Sequence, residues 1–285
     1  MLEQIERCRM PELPEVETVV RGLRAPLVGR TALDVWVDWP NTLRGMPSAD
    51  FAARVRGQTF RRIDRRAKYI VAQLDHDLLV VHLKMTGRLY VTDDSAVHDS
   101  DRWVHFRLQL DGGQQLRFSD ARKFGFVQLT HDLNALAPGL GVEPLEDEFT
   151  VAYLTQRLPR HHKAIKALLL DQTMIAGVGN IYADEALHRA RIHPLRAANS
   201  LRPEEIAALH EAVRHVLAAG ILAEGSSINW YRKPDGTQGD MQNRFLVYGR
   251  EGQPCPACGA PIHKIRVAQR GTHYCPVCQP APARP

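Results

Sequence analysis

Residues 103–120 read WVHFRLQLDGGQQLRFSD. Two runs that alternate between apolar and polar residues flank Asp111-Gly112-Gly113. A period of two marks a strand with one buried face. Asp-Gly between two such runs reads as a hairpin turn, because glycine takes up the positive φ that the turn needs. Moving outward, the same texture recurs in "LDVWVDW", "KYIVAQL", "LLVVHLKM" and "FGFVQLT". So many short strands between Thr31 and Leu129 predict a sandwich or barrel-like sheet. On the N-terminal side, residues 9–23 read RMPELPEVETVVRGL. Pro14, Glu15 and Glu17 suit the first turn of a helix, and Val16, Val19, Val20 and Leu23 give it one apolar face. On the C-terminal side, from Phe149 to Ala223, helical text takes over in "VAYLTQRL", "KAIKALLLDQ", "IYADEALHRARI" and "PEEIAALHEAVRHVLAAGIL". A polar stretch between Gly225 and Asn243 predicts a mobile loop. The fold class is α+β.

The chain of 285 residues has room for two modest domains and a small appendage. With 44% hydrophobic and 24% charged residues it has the composition of a soluble globular protein. No apolar run approaches the ~20 residues of a membrane span. The opening MLEQIERCR lacks the apolar centre of a signal peptide. These features predict a cytoplasmic monomer with reduced cysteines and no membrane association. A net charge of +5 suits a polyanionic partner without establishing one.

Four of the five cysteines form two Cys-x-x-Cys pairs, Cys255/Cys258 and Cys275/Cys278, with 16 residues between the pairs. That is the spacing of a zinc ribbon. Buried unligated thiols and a redox pair are the competing readings. Four thiolates leave no open position, so the metal expected here is one structural Zn2+. It would hold together a segment too small to fold on its own core.

Met10-Pro11 carries a different kind of chemistry. An initiator methionine before proline is removed, and the exposed terminus is then a secondary amine. An α-amine has a pKa near 8, so much of it is unprotonated at neutral pH. On a sugar's anomeric carbon it forms an iminium ion, which has no N–H to lose and so stays electron-withdrawing. Neighbouring glutamates can move protons. The bland alternative is an amphipathic helix with a rigid lead-in. Other stretches offer what such a nucleophile needs. Lys68 sits among Arg62, Arg65 and Arg66 at a strand start, and Met85 sits at a turn after an apolar strand. Arg122 and Phe124, two apart, share a face if extended. Met85, Arg122 and Phe124 could enter a base stack. Taken singly, the methionine and phenylalanine suit a core equally well, and the arginine suits a solvated face. Gly177 and Gly179 make a tight turn between two helices. The following helix N-terminus, with Asn180, suits a DNA phosphate.

Taken in order, MPELPEVET, the lysine after a basic run, HLKMTGR, DARKFG, GVGNIYADE, QNRFLVYGR and AQRGTHYC closely resemble the formamidopyrimidine-DNA glycosylase family from Met10 to about Gln279. The resemblance implies an N-terminal β-sandwich with a leading helix (10–140), a helix–two-turn–helix DNA-binding domain with a lesion-capping loop (141–245) and a zinc finger (246–279). Residues 280–285 are a tail, and 1–9 an extension absent from the active protein. It implies a bacterial, nucleoid-associated enzyme. This enzyme excises 8-oxoguanine and formamidopyrimidines from double-stranded DNA and cleaves abasic sites by β,δ-elimination. Pro11 would be the nucleophile, Glu12 the acid at the sugar ring oxygen, Glu15 an orienting group, Lys68 an acid in base loss and β-elimination, and Arg270 a phosphate contact that assists δ-elimination. Lys166 and Asn180 would grip phosphates, His105 would contact DNA, and the loop Ser226–Gly239 would close over the extruded base. Two positions depart from the family pattern. Lys84 replaces the usual glycine of a turn, and Trp103 stands where a histidine is usual. Two alternative readings remain: a lesion-recognising DNA-binding protein without lyase activity, if residues 1–9 stay in place, and an oxidised-pyrimidine glycosylase of the endonuclease VIII type. Leu13 and the Met/Arg/Phe set favour the purine enzyme over the latter.

Overall fold

The computed structural model describes residues 10–136, 138–228 and 230–281. The extension at 1–9 and the last four residues of the tail lie outside these. The chain divides into two compact units. The first runs up to Pro138 and also takes in Ala223–Asp240; the second comprises Gly139–Leu222 and everything from Met241 onward.

The first unit opens with helix α1 (Leu13–Leu27). Glu12 is its N-cap and Glu15 its third residue, and the two form a reciprocal capping box. Its apolar stripe, Leu13, Val16, Val19, Val20, Leu23 and Leu27, is buried, and the helix packs on strands of both sheets. The strands are β1 (Ala32–Val37), β2 (Leu43–Arg44), β3 (Arg62–Arg66), β4 (Tyr69–Gln73), β5 (Leu78–His82), β6 (Gly87–Asp93), β7 (Val104–Leu110), β8 (Gln114–Asp120) and β9 (Phe126–Thr130); helix α2 (Ser48–Val55) lies between β2 and β3. They form a four-stranded sheet, β1-β7-β8-β6, and a five-stranded sheet, β2-β9-β5-β4-β3. Every pairing is antiparallel except β2 with β9.

The inner faces share one core. Ile63, Ile70, Leu79, Val81 and Val127 of one sheet join Leu89, Phe106, Leu108, Leu116 and Phe118 of the other. Each such side chain contributes about 1.5–3 kcal/mol on burial, which makes this core the main source of stability in the unit. The β7–β8 hairpin forms as its sequence predicts. Leu110 faces Gln114, and Gly112 and Gly113 take φ of 72° and 74°. Three strands go beyond the predicted set. β2 is two residues long, and β6 completes the first sheet. β3, RIDRR, buries only Ile63; it is an edge strand whose arginines leave no apolar alternation to read. Helix α3 (Leu133–Leu136) follows the sandwich.

The second unit contains α4 (Val151–Arg157), α5 (Ile165–Leu169), α6 (Asn180–Arg189) and α7 (Pro203–Leu222). Gly177, with φ 86°, turns the chain between α5 and α6. Helices α6 and α7 cross closely: a Cβ on Gly220 would lie 2.6 Å from the buried Tyr182 ring. The ribbon adds β10 (His263–Val267) and β11 (Arg270–Tyr274), an antiparallel pair. β11 packs on α6. Glu185 of α6 accepts the backbone N–H groups of Leu246, Val247 and Tyr248 at 2.8–3.0 Å, which fixes the chain entering the ribbon. Among the described residues no helix is long and apolar enough to cross a membrane.

Candidate active site and metal centre

Pro11 is buried immediately before α1. Glu12 and Glu15 are only 3% and 2% exposed. One Glu15 carboxylate oxygen accepts the Glu12 N–H at 2.9 Å, and the other accepts the Ser226 N–H at 2.7 Å. Glu15 therefore joins the start of the helix to the start of the loop expected to cap a lesion. The approach is close enough to require glycine at 225. Its φ is +79°, and a Cβ there would meet Glu15 Cγ and Tyr231 Cε1 at 3.0 Å. The loop closes at its neck through Gly239 N–H to Ser227 Oγ (2.9 Å) and Asp240 N–H to Ala223 O (2.8 Å). Tyr231 belongs to the sandwich core, and Lys233 pairs with Glu224 at 2.7 Å. Trp230 meets Trp103 edge to face at 5.2 Å, and the Arg102 guanidinium lies 4.0 Å above Trp103.

Lys68 lies in the tight β3–β4 turn, one residue before β4; Ala67 takes φ 53° there. Arg65 connects this turn to α1: its Nε donates to Glu17 at 3.2 Å and its Nη1 to the Ala67 carbonyl at 3.2 Å. Glu17 is held on its other oxygen by Arg21. The position of Lys68 is thus fixed relative to the helix that Pro11 precedes.

Met85, Arg122 and Phe124 come together. Arg122 Nη1 lies 3.4 Å from Met85 Sδ, and its guanidinium stacks 4.7 Å from the Phe124 ring centroid, which is 50% exposed. They meet by a different route from the one the spacing suggests. The segment is not extended, because Lys123 between them has φ 57°. Asp120, which the sequence reading did not single out, builds this turn. Its buried carboxylate accepts N–H groups from Arg122 (3.2 Å), Phe124 (2.8 Å) and Gly125 (2.6 Å), and the Thr86 hydroxyl. Lys84 adopts φ 51°, the left-handed conformation that a glycine would take without strain. Its N–H donates to His82 Nδ1 at 3.0 Å. Burial, with Arg44 nearby, pulls the Lys84 ammonium below the usual lysine range.

His105 does not face solvent. Its ring is buried, with Nδ1 2.8 Å from Asp38 Oδ1, at a register shift in β7. In this arrangement it supports the sheet.

In the second unit, Asn180 begins α6 and its Nδ2 donates to the Gly271 carbonyl at 2.9 Å. Lys166 is fully buried, 2.6 Å from Asp184 and 2.7 Å from Thr272 Oγ1. The ammonium thus has interior partners on α6 and β11. Arg270 is exposed, directly after the β10–β11 turn at Ala268 and Gln269, whose φ are 48° and 60°.

The Sγ atoms of Cys255, Cys258, Cys275 and Cys278 all lie within 4.8 Å of one another. A tetrahedron with Zn–S bonds of about 2.3 Å has sulfurs about 3.8 Å apart, so the donor set and spacing fit one metal. Burial and the crowding of the other thiols push the Cys278 thiol up to about 12. His188, unnoticed in the sequence, places Nε2 3.4 Å from Cys255 Sγ.

Sequence models match the chain in three consecutive segments. The formamidopyrimidine-DNA glycosylase N-terminal domain matches residues 10–127, the formamidopyrimidine-DNA glycosylase H2TH domain 140–232, and the zinc finger found in FPG and IleRS 252–281. A formamidopyrimidine-DNA glycosylase of Symbiobacterium thermophilum is 47% identical over 277 residues, which cover 96% of this chain and 90% of that protein. The Lactococcus lactis Fpg in complex with DNA containing an abasic site matches with a TM-score of 0.87 at 36% identity, over 95% of this chain and 100% of that one. A MutM in complex with carbocyclic 8-oxo-G containing DNA gives the same TM-score, identity and coverage. Similarity of this extent and order places the chain in the formamidopyrimidine-DNA glycosylase family.

Proposed function

We propose that this protein is a bifunctional DNA glycosylase and abasic-site lyase that removes oxidised purines from double-stranded DNA. The observation that carries the reading is a proline set against two buried carboxylates, Glu12 and Glu15, at the head of one helix. Family membership supplies the substrate class. The related structures hold DNA with an abasic site and with a carbocyclic 8-oxo-G.

In this reading Met10 is removed and the Pro11 amine attacks C1′ of the damaged nucleotide. The C1′–N bond breaks, and the base leaves with a proton supplied by Lys68. Glu12 protonates the ring oxygen as the sugar opens, which leaves an iminium ion. That ion acidifies C2′–H. Loss of this proton expels the 3′ phosphate, and a second elimination breaks the C5′–O bond, with Arg270 stabilising the departing phosphate. Glu15 orients the helix start and the capping loop. Met85, Phe124 and Arg122 occupy the gap left by the extruded nucleotide. Asn180, with Lys166 behind it, meets the backbone phosphates. The four cysteines hold one Zn2+, which closes the ribbon that presents Arg270.

The test compares two proteins, one beginning at Met10 and one with residues 1–9 retained and processing blocked. Each meets a duplex with 8-oxoguanine opposite cytosine, followed by borohydride. The short form becomes linked to DNA through Pro11. The long form binds but forms no adduct, because an acylated proline nitrogen has its lone pair in the peptide bond. Equal trapping by the long form would exclude Pro11 and point to Lys68.

A further inference from the structure

Asp184 lies in the second turn of α6 and is 0% exposed, as is Lys166 on α5. Its Oδ2 accepts the His273 backbone N–H at 2.8 Å, and its Oδ1 lies 2.6 Å from Lys166 Nζ. Lys166 also donates to Thr272 Oγ1 at 2.7 Å and to the Gly271 carbonyl at 3.3 Å, where Asn180 Nδ2 arrives at 2.9 Å. Three consecutive residues of β11 are therefore held by side chains of α5 and α6. The residue just before them is Arg270.

A buried ion pair survives only when hydrogen bonds complete it. Here β11 completes it, so the pair and the strand fix each other. On the other side of Arg270 lie the two left-handed turn residues, Ala268 and Gln269, and Arg270 itself pairs with Val267 across the hairpin. The direction in which Arg270 leaves the hairpin is set from the anchored side.

We propose that Asp184 is a positioning residue for Arg270. Its charge holds Lys166 and its second oxygen holds the β11 backbone, and together they aim the exposed guanidinium. The inference rests on the reading that Arg270 serves the second elimination. Asp184 would then govern how far strand cleavage proceeds, while base removal and iminium formation stay with Pro11.

The experiment uses the full protein beginning at Met10, with Asp184→Asn and Thr272→Val. Asp184→Asn keeps an oxygen for the His273 N–H but leaves a buried ammonium without its counter-charge. Thr272→Val removes the hydroxyl by which Lys166 holds β11, leaves both charges in place, and keeps the test valid if Asp184→Asn folds poorly. Metal content and circular dichroism report folding. On a duplex with a preformed abasic site, three quantities are read: the borohydride trapping rate, the ratio of δ to β product, and amide hydrogen exchange across 270–274. The expected result is trapping near the parent rate, faster exchange in the hairpin, and a δ:β ratio lowered about ten-fold or more, as misplacement of a working group by an ångström produces. An unchanged ratio with an unchanged exchange pattern overturns the proposal. So does a loss of trapping equal to the loss of δ product, which would make Asp184 a folding residue only. Arg270→Ala separates the two readings. If it leaves the ratio unaltered, the role given to Arg270 fails. Hairpin exchange in Asp184→Asn then still decides whether the clamp exists.

Discussion

His82 packs between Tyr69, edge to face at 4.8 Å, and Phe126, stacked at 5.8 Å, and offers Nδ1 to the Lys84 N–H. It supports the one turn where a lysine holds a positive φ, next to Met85. Burial, helped by the cations of Lys84, Lys68 and Arg44, pushes its imidazole down to about 3. The folded value lies below the unfolded one, near 6.5, so the unfolded chain binds the extra proton between them. The stability contributed by neutral His82 is fully present above pH 6.5 and is lost as pH falls towards 3. The slope reaches at most about 1.4 kcal/mol per pH unit. Urea titrations at several pH values between 7 and 4 should give a flatter stability profile for His82→Gln than for the parent. Parallel profiles would mean that the ring takes up its proton when folded. At this scale, legibility depends on how far apart the partners lie in the chain. Cys-x-x-Cys spacing places its own ligands, so Cys255, Cys258, Cys275 and Cys278 could be read directly. Asp184 and His273 meet across 89 residues, and Glu15 and Ser226 across 211, and no local pattern records either contact.

Helix α1 and the loop 226–239 are fitted to one another at Gly22. A Cβ there would stand 2.8 Å from Pro234 Cγ and 3.1 Å from its Cδ. Glycine inside a helix costs about 1 kcal/mol relative to alanine. The helix accepts that cost, and the loop gains a seat. Gly22→Ala is expected to raise the urea midpoint slightly, with up to about 1 kcal/mol gained in the helix. At the same time it should displace Pro234 and speed hydrogen exchange between residues 230 and 239. Unaltered exchange in the loop would show that Pro234 is not seated on Gly22. Among the elements, strands with one apolar face were legible, as were α1, α6 and α7. β3 was not, because an edge strand of arginines carries no period-two signal. The conformation of the Arg122–Phe124 segment was not legible, because Lys123 is not glycine and nothing local announced a left-handed residue there. The buried carboxylate of Asp120 stabilises that conformation from outside the segment's own pattern.

The chain crosses between its two units three times: after Pro138, after Leu222 and after Asp240. The first crossing falls between the strand-rich text that ends at Leu129 and the helical text that begins at Phe149. The other two were not legible. Residues 223–240 look like a polar insert in the helical part, and the contacts of Ser226 with Glu15 and Trp230 with Trp103, with the burial of Tyr231 in the sandwich core, join them to the first unit. The four-cysteine cluster belongs to the second unit. Its small core comprises Val247, Ile262, Cys255 and Cys275, too little apolar surface to stand without a metal. Cys255→Ser should therefore abolish metal binding and release the ribbon while the sandwich keeps its own unfolding transition. Elemental analysis with differential scanning calorimetry would check both. A variant that is metal-free and still unfolds with the parent's profile would show that the ribbon folds without its ion.

The placement of the four tryptophans, Trp36, Trp39, Trp103 and Trp230, has an optical consequence. All four fall in the first unit. Indole emission excited at the red edge therefore reports on the sandwich and the loop 226–239, and is blind to melting confined to the ribbon. Trp103 and Trp230, with ring centroids 5.2 Å apart, are close enough to exchange excitation. Any movement of the loop away from Trp103 will change the polarisation of that emission. The chain thus carries an intrinsic, label-free probe of loop opening, and one substitution, Trp230→Phe, supplies its blank.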